Sequence, residues 1–199
     1  MGNTKKKRCQ ENVLQEEYNA REYLARKEYL CKLRMFKIEQ KQTLMTTRFS
    51  EYTWQQNRQF REKHSAVGCL YGSSIPNSGD IAHESVLFVL EMNNTTNRIM
   101  GVGLVRNRPI SGKYVAYADN MNVNRYLYIG QLRVDRSEMT EEEEEVMRFF
   151  DIICFTGSRH MKRGNGMTRF PLDILYRCSA VMNLTKFLGE MLKKRMASK

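Results

Sequence analysis

The order of apolar and polar positions divides the chain into a helical stretch, a region of short strands, and a second helical stretch. From Glu11 to Gln42 there is no glycine or proline, and Leu14, Tyr18, Leu24, Cys31 and Ile38 approximate one stripe, widened by Tyr23, Leu30, Leu33 and Phe36. That spacing predicts a long amphipathic helix. Glu17/Arg21, Glu22/Arg26 and Glu28/Lys32 place the acid four residues ahead of the base, the favourable order on a helix. Ser50 is a candidate N-cap for a second helix over 50–64, which carries Trp54 and Phe60. At Val67 the pattern changes to short apolar runs bounded by turn residues. Residues 67–72 read as a strand, and 73–80 as a loop of Ser, Pro, Asn and Gly. Residues 86–92 and 98–105 read as a hairpin about the turn 93–97, and 114–118 and 126–134 as strands across the Asn-rich turn 119–124. Thr140 then caps a helix over 141–154, whose run of glutamates suits a positive helix N-terminus. A basic glycine-containing loop covers 157–166, and a last helix runs from near Pro171 to Met196.

Strands cluster in the middle and helices flank them. The predicted class is α+β: a small mixed sheet or partly open barrel of about five strands flanked by helices, with a long N-terminal helix. The predicted organisation is a basic tail over 1–10, a helical arm over 11–64, and an α+β domain over 65–199. Within that domain the core is 65–136 and the C-terminal helices are 140–197.

Charge narrows the choice of partner. The 199 residues carry a net +11, with +7 in residues 1–63, +8 in 155–199 and −5 in 139–154. Such a surplus on both flanks implies a polyanionic partner, nucleic acid or an anionic membrane surface. No apolar run approaches the ~18–20 residues that span a bilayer, and no charged-then-apolar leader opens the chain, so no membrane partner is expected. Gly2 is present, but Lys6 stands where a myristoylation signal has Ser or Thr. Cys9, Cys31, Cys69, Cys154 and Cys178 are odd in number and form no CxxC pair, which predicts reduced thiols in the cytoplasm or nucleus. His64, His83 and His160 lie far apart, without metal-ligand spacing. There is no nucleophile elbow, no GxxxxGK[ST] and no paired His-carboxylate motif, so no cofactor and no catalytic residue is expected.

The loop Ser158-Arg159-His160-Met161-Lys162-Arg163-Gly164-Asn165-Gly166 is the leading candidate site. Glycine lets backbone N–H groups approach an anion, and Arg offers a fork for phosphate. Lys162 and Arg163 are the expected phosphate donors, with Arg159, His160 and Arg169 extending the charge. The bland alternative is a solvated turn. Asn93, Asn94, Asn97, Asn120, Asn122 and Asn124 are first of all turn formers, yet Asn also reads base edges, and Arg125 and Tyr126 beside them can contact backbone or base. Trp54, Tyr71 and Tyr117 are candidates for base stacking, set against the commoner role of core residues. The run Glu141 to Glu145 fans outward on a helix and reads as a solvated face.

Val67-Gly68-Cys69-Leu70-Tyr71-Gly72, the loop with Pro76, Gly79 and Asp80, Ser85-Val86-Leu87-Phe88-Val89-Leu90, and Ile99-Met100-Gly101-Val102-Gly103-Leu104-Val105 together resemble the PUA-like group, which includes the EVE, ASCH and YTH domains. The resemblance covers about forty residues. It implies a small barrel that binds RNA, or a modified base, in a pocket. The aromatic cage of YTH domains does not carry over, because Trp54 precedes the first strand of the resemblance and is the chain's single Trp. The Asn-rich turns and the Lys162–Gly166 loop also resemble in style proteins of large nucleocytoplasmic DNA viruses, which implies a virion location. Met161 to Gly166 is similar to the pyrophosphate loop [QR]xxGx[GA] of GNAT acetyltransferases, with Met161 in place of Gln or Arg. That likeness implies acetyl-CoA as an alternative ligand. A third alternative is an architectural packaging protein that self-associates through the helix 11–42. The expectation is a nucleic-acid-binding protein, RNA favoured, without catalysis of its own.

Overall fold

The computed structural model describes residues 2–197 except 78, 113 and 119, with side chains from Gln15 onward. The chain divides into two units, Met1–Gln40 and Lys41–Lys199. The first unit is one helix, α1 (Gly2–Glu39). Glu28 and Lys32 pair at 2.7 Å on its surface, as the acid-first spacing predicts. Tyr18, Tyr23, Leu24, Leu30, Met35 and Ile38 are each more than half exposed on it.

The second unit runs β1 (Thr43–Phe49), α2 (Glu51–Lys63), β2 (Cys69–Ser73), β3 (Val86–Asn93), β4 (Arg98–Arg106), β5 (Tyr126–Gly130), β6 (Leu132–Asp135), α3 (Glu141–Phe155), β7 (Thr168–Arg169), α4 (Leu172–Cys178) and α5 (Leu184–Ala197). Short 3-10 turns at Met121–Arg125 and Arg136–Glu138 precede β5 and α3. Five strands form a mixed sheet in the order β6-β4-β3-β1-β7. β1 and β3 are parallel, and the other neighbours are antiparallel. β2 and β5 form a separate antiparallel pair. The class is thus α+β with a five-stranded mixed sheet and a long N-terminal helix, and the strands close no barrel among the described residues.

Burial explains the composition of the strands. In β3 every residue from Leu87 to Asn93 is buried, so the run is apolar without alternation. Leu87 and Val89 join the core with Leu70 and Tyr71 of β2, Leu127 and Tyr128 of β5, and Phe49, Trp54 and Phe60. Phe88 turns to the opposite face, where its ring lies beside Gly189 of α5. On the helical side Phe150 of α3 meets Phe170 edge-on at 5.6 Å. Each fully buried Leu or Val contributes about 1.5–3 kcal/mol relative to exposure. The caps read from sequence are present. Ser50 and Thr53 form a reciprocal capping box on α2, and Thr140 and Glu143 form one on α3.

Four expectations need correction. Residues 43–49 are not part of a helical arm: they form β1, inside the sheet between β3 and β7, so the second unit begins at Lys41 rather than near residue 65. The strand over 126–134 is two strands. β5 pairs with β2, and after Gln131 the chain passes to β4 as β6. Residues 114–118 form no strand, because the Asn124 side chain takes the place of a partner and accepts from Ala116 and Tyr117 N–H at 2.8 and 3.0 Å. The last helix is broken after Cys178, and Asn183 Oδ1 starts α5 afresh by accepting from Lys186 N at 3.0 Å.

Candidate functional site

A cleft of about 250 Å³ opens at the end of β1. Its lining comes from five parts of the chain: Thr47, Arg48 and Phe49 of β1, Ser50 and Thr53 at the start of α2, Gly72 of β2, Tyr117, Asn120 and Val123, and the loop Gly164-Asn165-Gly166. The β3–β4 turn fixes that loop. Asn94 N donates to Phe49 O at 2.8 Å, and Asn94 Nδ2 donates to Lys162 O at 3.0 Å. The same turn holds α2, since Glu51 N donates to Thr95 Oγ1 at 3.1 Å and Asn93 Nδ2 donates to Glu51 Oε2 at 2.9 Å. Gly164 and Gly166 have φ of 125° and 64°, which other residues rarely adopt. A Cβ at Gly166 would also lie 2.3 Å from Ser73 Oγ. The glycines therefore allow the loop both its turn and its close approach to β2.

Arg48 is the distinctive group of the cleft. Its Nε donates to Met161 O at 2.5 Å, and its Nη1 donates to Thr168 Oγ1 at 2.8 Å. Thr168 Oγ1 is in turn 3.0 Å from Thr46 Oγ1. These bonds orient the guanidinium beside Gly164, where a Cβ would stand 3.4 Å from Cζ. Burial pushes the Arg48 pKa down, yet guanidinium stays charged in the neutral range. Among the described residues no carboxylate forms an ion pair with Arg48, and its Nη2 has no acceptor. A half-buried cation without a counter-ion favours an anion in the cleft. Tyr117 contributes a buried phenol whose oxygen accepts from Asn57 Nδ2 at 2.9 Å. Burial raises its pKa, so it remains a neutral hydroxyl.

Of the residues singled out in sequence, Tyr117, Asn120 and the loop Gly164-Asn165-Gly166 line the cleft, whereas Arg125, Tyr126, Arg159, His160, Lys162, Arg163 and Arg169 do not. Lys162 is half-buried at the loop's base, and Arg159 and Arg163 are exposed. His160 is half-buried, and its Nδ1 faces Lys162 N at 3.4 Å. Arg125 is exposed over the Tyr126 ring at 5.7 Å, and Tyr126 pairs with Ser73, the residue that Gly166 abuts. Arg169 is different: its Nη1 is bonded to Asp80 at 2.6 Å, so its charge is already matched. Tyr71 is not a stacking residue. It is fully buried, and its hydroxyl donates to the buried Glu91 at 2.8 Å, leaving no face for a base. Trp54 is buried in the core cluster and borders a second groove rather than this cleft. Asn93, Asn94 and Asn124 use their amides on the backbone and on Glu51, which is turn chemistry rather than readout. Only Asn120 and Asn165 line the cleft among the described asparagines.

Sequence reasoning missed Arg48, Ser50 and Thr53 as neighbours of the loop. A signal existed, because Arg48 is the only charged residue in Thr43–Phe49. Cys31, Cys69, Cys154 and Cys178 are unpaired. Among the described residues no three His, Cys, Asp or Glu side chains are grouped to hold a metal, and no helix is long and apolar enough to cross a membrane. No protein-family profile, curated protein or solved structure matches the chain.

Proposed function

We propose that the protein binds nucleic acid, with RNA favoured, through the cleft at the end of β1, and performs no chemistry on it. The observation that carries this reading is Arg48, a half-buried guanidinium with no carboxylate partner among the described residues, roofed by a glycine loop with Lys162 and Arg163 beside it. A phosphate fits a fork anchored in this way, and the flanking cations add sequence-independent attraction. The PUA-like resemblance points the same way, since its strand, turn and returning strand correspond to β3 and β4, whose turn buttresses the cleft. Acetyl-CoA gains less support. The loop leads into β7, and α4 begins only at Leu172, so Gly166 does not open directly onto a helix N-terminus.

The test is a titration of the purified protein with single- and double-stranded RNA and DNA of one sequence across a salt series. Steeply salt-dependent binding with a preference for RNA is the expected result. Equal binding to all four would favour packaging. Absence of binding at moderate salt would remove the nucleic-acid reading and make acetyl-CoA the next ligand. The packaging reading has its own support in the exposed Tyr18, Tyr23, Leu24, Leu30 and Ile38 of α1, an apolar surface suited to self-association.

A further inference from the structure

A groove of about 620 Å³ borders α2, the turn at Val67 and Gly68, and β6. Trp54, the only tryptophan of the chain, lines it. Two guanidiniums approach that ring, Arg133 at 5.3 Å and Arg61 at 5.6 Å from its centroid. They differ in what else they bind. Arg133 is saturated: its Nη2 and Nε hold the buried Glu91 at 2.8 to 3.1 Å, and its Nη1 holds Asp135 at 2.7 Å. Arg61 uses only Nε, which donates to Asn57 Oδ1 at 2.9 Å. Among the described residues its Nη nitrogens have no acceptor and it forms no ion pair. Glu91 and Asp135 act on Arg61 through space, but both carboxylates bond Arg133 instead.

The same groove carries hydroxyl acceptors. The Asp135 side chain is 39% exposed; its Oδ2 holds Arg133 and its Oδ1 accepts from Ser137 N and Oγ, so a ligand hydroxyl would use its remaining lone-pair capacity. Glu138 beside it caps Asp135 N through Oε2 at 3.2 Å, which leaves Oε1 open among the described residues, and Glu62, also on the wall, faces Arg58 at 3.8 Å. A free guanidinium fork together with part-exposed carboxylates suits a ligand that has an oxyanion and hydroxyl groups, and disfavours a bare polyanion. We propose that this groove binds a ribose phosphate unit, with the phosphate on Arg61, Arg58 at the rim, and sugar hydroxyls donating to Asp135 and Glu138. Such a unit arrives either as a free sugar phosphate or as a nucleotide of an RNA strand. Only the second source rests on the nucleic-acid reading above. In that case the 2′-hydroxyl, which DNA lacks, is the group the carboxylates recognise.

Trp54 is the reporter, because all tryptophan emission comes from this groove. The full chain is titrated with ribose 5-phosphate, and separately with short single-stranded RNA and DNA of one sequence. The expected result is a saturable change in emission with ribose 5-phosphate, with RNA but not DNA, or with both. A response to ribose 5-phosphate alone identifies the free sugar phosphate, and a response to RNA alone identifies the strand. Arg61→Gln should raise the half-saturating concentration by about tenfold or more, the loss of a charge-assisted hydrogen bond. Arg58→Gln, a change at a side chain 60% exposed, should give a smaller shift in the same direction with the fold intact. Two results would overturn the proposal: no emission change with any probe, or full affinity retained in both variants. The cleft is read separately, by salt-dependent RNA binding after charge reversal at Lys162 and Arg163, so failure at one site is distinct from failure at the other.

Discussion

Arg48 and Gly166 show how single residues set the character of the cleft. Arg48 is held by a carbonyl and a hydroxyl rather than a carboxylate, so its full charge remains available to a ligand. Arg48→Gln should therefore weaken RNA binding by about 1.5–3 kcal/mol, the range of a hydrogen bond to a charged group. Unchanged affinity in a folded variant would remove Arg48 from the interface. Gly166 combines a φ of 64° with a Cβ position 2.3 Å from Ser73 Oγ. Gly166→Ala should lower stability by about 1–3 kcal/mol and loosen the loop, measurable by urea unfolding and by RNA affinity. Cysteine chemistry separates by environment. Burial pushes the thiols of Cys69 and Cys154 up to about 12, whereas Cys31 is exposed. Iodoacetamide at neutral pH should label Cys31 quickly and leave Cys69 and Cys154 intact until urea unfolds the chain. Rapid native labelling of Cys69 would contradict its place beneath β4.

At the scale of elements, buried charge ties strands and helices together. Glu91 of β3 is fully buried and held by Arg133 of β6 and Tyr71 of β2, so three strands share one carboxylate. Glu91→Gln leaves Arg133 without its main counter-charge and should cost about 3–5 kcal/mol, read from the urea midpoint. A second pairing gives a pH signature. Arg136 grips Glu144 of α3 through two bonds of 2.7 and 2.8 Å, and those bonds hold the Glu144 carboxyl below the ordinary range. A depressed folded-state pKa gives stability that is complete above the unfolded value and lost as pH falls through the folded one. Thermal stability of the wild type should therefore drop more steeply below about pH 4 than that of Glu144→Gln. Parallel pH curves would show that this pair adds nothing.

The elements also show what sequence can and cannot carry. The caps at Ser50 and Thr140, the β3–β4 hairpin and the long α1 were legible because each rests on local spacing. β1 was not. Its seven residues follow a strong helical signal, and its sheet partner, β3, is separated by a helix and a strand, so only tertiary pairing defines it. The Gly164–Gly166 loop was legible as a candidate, but its partners Arg48, Ser50 and Thr53 lie more than a hundred residues earlier. Asn94, read as a turn former, also makes a long-range contact, its bond to Lys162 O across 68 residues. Tyr71 stayed open between stacking and the core in sequence, because an aromatic in a strand carries no local mark of whether its ring faces ligand or core; its burial puts it in the core.

For the whole molecule, charge and exposed apolar surface lead to separate outcomes. The net charge of +11 favours any polyanion at low salt, so binding alone does not identify the cleft. The apolar side chains on α1 form a second surface. Leu24→Glu with Leu30→Glu should shift any oligomer toward monomer in sedimentation velocity while leaving the unfolding midpoint of the second unit unchanged. A wild type that is monomeric at high concentration would remove the assembly role for α1.

The most direct test of the cleft is the salt dependence of single-stranded RNA binding in the wild type and in the double variant Lys162→Glu/Arg163→Glu. Each phosphate contact contributes about 0.7 to the slope of log affinity against log salt on a single strand. The cleft reading predicts a fall in affinity and a slope lower by about one to two. An unchanged slope and affinity would place RNA elsewhere on the basic surface.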